Sequence, residues 1–259
     1  MVKFFDTHAH YTDEKLAGNL TLTDELFSSD ICGIICVSID NDDAEKCIAL
    51  SKKYPHMYAS AGIHPSECMR FPSLEKEMER LSLLCREKKV VAIGEIGLDY
   101  HYDFSEKDVQ MRFFEAQMKL AEELSMPVII HDREAHADVF DMVCAHPSVR
   151  GVIHSYSGSA EMAREYIKRG WYLSFSGVVT FSNAAKTHEA AKATPLERLL
   201  IETDAPYLAP VPMRGKMNHS GYIRYTAEKI AELHDVDIET VARITEENAK
   251  KLFAISADQ

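Results

Sequence analysis

The chain has 259 residues with 46% hydrophobic content, enough for one large core or two small ones, and its 41 acidic and 29 basic side chains leave a formal charge of −12. That balance excludes a broad basic surface that coats nucleic acid non-specifically, so an anionic ligand would need locally placed cations. Six scattered cysteines, with no CxxC or other paired zinc spacing, exclude a disulfide framework and read as reduced, partly buried thiols.

The first residues run directly into a strand pattern, with no basic segment followed by a long apolar one and no apolar run of spanning length. A soluble cytoplasmic chain with no membrane partner is expected. No linker, low-complexity tract or fixed-period repeat divides the sequence, which predicts one domain over residues 1–259.

In chain order, strand patterns fall at 2–7, 33–38, 57–63, 90–96, 127–131, 151–154, 171–176 and 199–203. Amphipathic patterns with apolar residues three and four apart fall at 42–54, 73–88, 105–125, 134–146 and 160–169, and again at 222–234 and 237–253, where Asp237 and Thr240 mark a helix start. Strands alternating with helices imply βαβ units and a parallel sheet, and strands apolar at nearly every position imply cover on both faces. Eight units predict an α/β fold of the (β/α)₈ TIM-barrel type, whose functional residues sit at the C-terminal ends of the strands. An open doubly wound sheet also holds eight strands, but it gives no reason for polar residues at almost every strand end.

Those polar residues are specific. The first strand ends in Asp6-Thr7-His8-Ala9-His10, and in an extended strand positions i and i+2 share a face, so two imidazoles converge there. His64 follows the third strand, Glu95 lies in the fourth, His131 and His154 end the fifth and sixth, and Glu202 and Asp204 follow the eighth. Singly, His131 and His154 read more readily as core histidines bonded to carbonyls. A carboxylate inside an apolar strand, such as Glu95, instead requires a cation or a proton. Together these residues predict a two-metal site: His8, His10, Glu95 and Asp204 around one ion, and Glu95, His131 and His154 around the other. Imidazole favours Zn or Mn, while the carboxylates keep Mg open.

The motifs Asp6-Thr7-His8-Ala9-His10, Ala61-Gly62-Ile63-His64-Pro65, Gly94-Glu95-Ile96-Gly97-Leu98-Asp99-Tyr100, Pro127-Val128-Ile129-Ile130-His131 and Glu202-Thr203-Asp204-Ala205-Pro206, with Arg214-Gly215-Lys216 and Asn218, resemble the TatD family of metal-dependent deoxyribonucleases among the amidohydrolase-like barrels. The resemblance runs from Asp6 to about Phe253 and maps the family's metal ligands onto His8, His10, Glu95, His131, His154 and Asp204. It implies metal-assisted phosphodiester hydrolysis by a metal-activated water, on the ends of single-stranded DNA or RNA and in the 3′-to-5′ direction. Asp204 is the candidate proton acceptor. Glu202, facing the same way, is the candidate to orient a ligand or water or to help bind another ion. His64, Arg133, Arg214 and Lys216 are candidates for holding phosphates.

Tyr100, Tyr102 and Phe104 are candidates for stacking on bases, or for packing as loop aromatics on the rim. Two departures stand out: Ser155-Tyr156 follows His154 where the family commonly has Cys-Phe, and His219-Ser220 replaces the usual Glu-Pro. The same site would also suit ester or amide hydrolysis, including deacylation of aminoacyl-tRNA. A non-catalytic metal-bound scaffold is the reading from another class, and no obligate protein partner is implied.

Overall fold

In the computed structural model, which describes residues 2–102 and 104–256, eight strands join one parallel sheet in the order of the chain. The elements are β1 Phe4–Ala9, α1 Leu20–Ser28, β2 Ile31–Cys36, α2 Asn41–Ser51, β3 Met57–Ala61, α3 Leu74–Leu84, β4 Val90–Asp99, α4 Lys107–Leu124, β5 Val128–Arg133, α5 His136–Ala145, β6 Gly151–Ile153, α6 Ala160–Lys168, β7 Tyr172–Phe175, α7 Ala185–Ala193, β8 Leu199–Ile201, α8 Ile223–His234 and α9 Ile238–Leu252. Each strand pairs with the next. The barrel then closes just beyond β1 and β8: His10 N–H donates to the Ala205 carbonyl at 2.7 Å, Asp204 N–H to the His8 carbonyl at 2.9 Å, and Ala9 bridges Ala205. The expected TIM barrel is the fold observed.

Two-residue alternation explains why the strands are apolar throughout. Phe5, Ile35, Tyr58, Val91, Ile129, Val152, Tyr172 and Leu200, one from every strand, form a single cluster inside the barrel. Leu252, Phe253 and Ile255 at the end of the chain join that cluster and stop its lower end. Their neighbours Phe4, Ile34, Ile130 and Ile201 belong to a second cluster with helix residues such as Leu81, Met118, Val139 and Ile230. Capping side chains set the helix starts: Asp40 accepts from Asp43 N–H, Ser73 from Lys76 N–H, and Asp237 from Thr240 N–H at 2.6 Å. No helix among the described residues is long and apolar enough to cross a membrane.

Most element boundaries differ from the sequence expectation by one to four residues, and three differences bear on the fold and the site. β4 runs on to Asp99, because residues 96–99 pair in register with residues 130–133 of β5. The helices α1 and α7 were not expected. Only Ala190 and Ala191 are buried in α7, so it carries no large apolar side chains whose spacing shows. All six cysteines are free, with Cys36 and Cys47 in buried contact.

Candidate metal centre

Strand alternation and closure bring the expected ligands to one place. His8 Nε2 lies 3.3 Å from Glu95 Oε2 and 3.7 Å from Asp204 Oδ1, and His10 Nε2 lies 3.7 and 3.4 Å from the same two oxygens. The two imidazole nitrogens are 3.1 Å apart. Ligand bonds of about 2.0 to 2.2 Å in a tetrahedron place neighbouring donors about 3.3 to 3.6 Å apart, so these four side chains outline the coordination shell of one ion. The other oxygen of Glu95, Oε1, lies 2.7 Å from His131 Nδ1 and 2.8 Å from His154 Nε2, which are 3.2 Å from each other. One buried carboxylate therefore faces two imidazole sets with its two oxygens.

The outer ring nitrogens of three histidines face acceptor oxygens. His10 Nδ1 meets the Val37 carbonyl at 3.0 Å, His131 Nε2 meets Asp99 Oδ2 at 3.0 Å, and His154 Nδ1 meets Glu202 Oε1 at 3.2 Å. Each of these oxygens accepts, so a neutral ring that keeps its proton outside turns a lone pair inward, which is the tautomer that binds a metal. Inward lone pairs crowded on a carboxylate repel unless a cation sits among them. Such outer partners characteristically orient metal-binding histidines. The donor set thus fits divalent ions.

Packing carboxylates against imidazoles shifts their titration. Burial resists charge on His10, but the Asp204 hydrogen bond and the Glu95 and Asp204 charges lift it to about 9. His154 rises well above its ordinary value, against burial, through Glu95 and Glu202. His131 rises likewise through Asp99 and Glu95. Burial pushes Glu95 upward, yet the surrounding histidines hold it well below the usual carboxylate range. Asp204 is likewise held down against burial, first by its His10 hydrogen bond. His8 is lowered, chiefly by burial and by His154, whose ring stacks on it with centroids 4.0 Å apart.

The remaining candidates are placed less uniformly. Glu202 is wholly buried under the site rather than on the cavity wall; it accepts from Ser155 N–H at 2.8 Å and lies 3.2 Å from His154 Nδ1, so it orients the His154 ring. Its Oε2 and His8 Nδ1 have no hydrogen-bond partner among the described residues, and His8, His154 and Glu202 also form a compact donor group. His64 lies beside the cluster, with Nε2 3.7 Å from Glu95 Oε1. Its Nδ1 accepts from Ser66 N–H at 3.1 Å, so the neutral ring carries its proton on Nε2, and burial with the neighbouring His131 lowers its pKa to about 3. His64, a candidate for holding phosphates, is thus neutral and can do so only as a hydrogen-bond donor.

Arg133 lines the cavity, its guanidinium carbon 4.6 Å from the Tyr102 ring centroid. Arg214 and Lys216 do not reach the cavity wall, a correction to the sequence expectation. Asn218 ties their loop to the Thr203 and Tyr207 carbonyls, and the exposed turn at Gly215 (φ 81°) leaves Arg214 over Phe181. The altered Ser220 donates to Asp6 Oδ2 at 2.6 Å and accepts from the Tyr11 hydroxyl, away from the ligands. Asp99, which meets His131, was not among the expected site residues, although the alternation Glu95, Gly97, Asp99 signals it. The cavity above the centre measures ≈ 970 Å³.

Residues 5–254 match the family described as TatD related DNase. A Bacillus subtilis relative, "Uncharacterized metal-dependent hydrolase YabD", is 43% identical over 97% of this chain and 99% of its own. An Escherichia coli K12 relative, "Uncharacterized metal-dependent hydrolase YcfH", is 41% identical over 77% of this chain and 75% of its own. The crystal structure of YJJV, a TatD homolog from the same species, superposes with a TM-score of 0.91 at 28% identity, covering 98% of both chains.

Proposed function

Because this chain belongs to the TatD family of metal-dependent hydrolases, we propose that it hydrolyses phosphodiesters and shortens single-stranded DNA from its 3′ end, residues 1–259 acting as one hydrolase domain. The observation that carries this reading is Glu95, with Oε2 turned to His8 and His10 and Oε1 turned to His131 and His154. His8, His10, Glu95 and Asp204 would hold one divalent ion and Glu95, His131 and His154 a second, with Zn, Mn or Mg compatible with this donor set. Such ions, when bound, supply an acidified water and neutralise charge building on phosphoryl oxygens.

The chain's own groups do the rest. Asp204, held ionised beside His10, accepts the proton of the attacking water. Asp99 and Glu202 fix the rings of His131 and His154. His64 offers its Nε2 proton to a phosphoryl oxygen, and Arg133 offers a guanidinium fork to the next phosphate along the strand.

The test is a panel of 5′-labelled single-stranded DNA, 5′-labelled single-stranded RNA and aminoacyl-tRNA, each with Mg, Mn or Zn and with chelator. A ladder of single-nucleotide steps on DNA is expected, slowed ~10³-fold or more by Glu95→Ala and by Asp204→Ala, the rate equivalent of about 4 kcal/mol. Undiminished shortening in either variant, or turnover confined to aminoacyl-tRNA, would overturn the proposal.

A further inference from the structure

The walls of the cavity differ in chemistry. The side built after β1 and β2 carries Asp13, Glu14, Asp40, Asp42 and Asp43, and Lys46 and Arg70 are the cations described there. The side built after β4 and β5 carries Tyr102, Phe104 and Arg133 with two carboxylates, Asp99 and Asp132, and Asp99 is turned to His131. Tyr102 and Phe104 stack with centroids 5.2 Å apart and planes 23° apart, and His101 meets Tyr102 edge-on at 4.8 Å. These two rings are 45% and 63% exposed; Tyr207, on the cavity wall after β8, is 44% exposed but stands alone, its hydroxyl tied to Asp13 and Lys15 over its ring. Tyr100 is excluded from the stack, because its hydroxyl donates to Asp138 at 2.6 Å and Lys107 covers its ring.

A stacked, exposed aromatic pair at the mouth of a cavity, with a guanidinium on one member, suits a planar ring that carries a phosphate. A polyanion entering the cavity is repelled more by the wall with five carboxylates than by the one with two, and only the latter offers it exposed stacked rings. The geometry points to Tyr102 and Phe104 as a stacking platform for the unpaired base beside the scissile phosphate, with the strand leaving across the β4–β5 rim over Arg133. The assignment rests on the nuclease reading for the identity of the strand, and it adds where the strand lies and which residues grip a base irrespective of its sequence.

The experiment uses the metal-loaded full chain and two single strands. One carries 2-aminopurine at its 3′ end behind phosphorothioate linkages that resist cleavage, and its fluorescence reads stacking. The other is an ordinary strand, and its shortening reads hydrolysis. Wild-type protein is expected to quench the probe saturably, Phe104→Ala and Tyr102→Ala to bind it about tenfold more weakly, and Phe104→Trp to restore binding. A strand ending in an abasic residue should compete about tenfold less well for wild-type protein and equally well for Phe104→Ala. Both side chains are exposed, so unchanged circular dichroism and thermal melting are expected of the variants.

Equal affinity of wild type and Phe104→Ala for the probe, equal competition by base-bearing and abasic strands, or no quenching at all overturns the platform. Quenching without shortening of the ordinary strand leaves the platform standing and removes the nuclease assignment. Shortening without quenching does the reverse.

Discussion

His131 turns Nδ1 toward Glu95 because Asp99 holds the opposite nitrogen, and an asparagine at 99 can present either an amide oxygen or an amide donor there. Asp99→Asn is therefore expected to lower divalent-metal affinity 10- to 100-fold, about the loss typical when an orienting partner is removed, while the fold is kept. Metal titration followed by calorimetry checks this, and unchanged affinity would refute the orienting role. Asp6 supplies a pH effect. It is wholly buried and raised from 3.8 to about 6, burial outweighing the hydrogen bonds from Ser220, Thr203 and the His8 backbone. The folded state therefore favours the proton, so this group's stabilisation is complete below about pH 4 and is lost as pH rises through 6, by ~3 kcal/mol. In chelator, wild type should exceed Asp6→Asn in unfolding free energy by ~3 kcal/mol more at pH 4 than at pH 7. A gap that does not change with pH would contradict it. The candidate ligands were legible at this scale because charged and imidazole side chains ending apolar runs demand an explanation. The remoteness of Arg214 and Lys216 was not, since nothing local shows which way a turn directs its side chains.

Among the elements, β4 carries the most of the site, with Glu95 and Asp99 on either side of Gly97. Gly97 has φ 136°, and a Cβ there would lie 2.1 Å from the His131 carbonyl oxygen. No L side chain fits without separating β4 from β5, which moves Glu95 away from His131. Gly97→Ala is expected to destabilise the chain by about 3 kcal/mol or more and to reduce metal binding with it. A urea midpoint within error of wild type would show that the two strands tolerate the change. The alternation of strand and helix was legible because two-sided burial makes strands continuously apolar, whereas α7, rich in alanine, has helical propensity without a visible stripe. The extension of β4 to Asp99 was hidden for another reason: residues 96–99 are strand only because β5 lies beside them in register.

Over the whole molecule, a formal charge of −12 surrounds a cavity that offers a strand few cations besides any bound ions. Only about two phosphates should therefore be held, and log KM for single-stranded DNA is expected to rise with log salt at a slope of about 1.4. A slope of about 4 or more would reveal a long electrostatic track and would contradict a site that holds only the strand end. The chain by itself determined the eight-unit barrel and the candidate ligands at its strand ends, because periodicity and burial are written in near neighbours. Only the tertiary structure decided how Glu95 divides its two oxygens, which nitrogen each histidine turns inward, and that Asp6 receives hydrogen bonds from Thr203, 197 positions away. Those choices belong to closure of the barrel, when β8 meets β1 and a side chain acquires partners that its own segment does not contain.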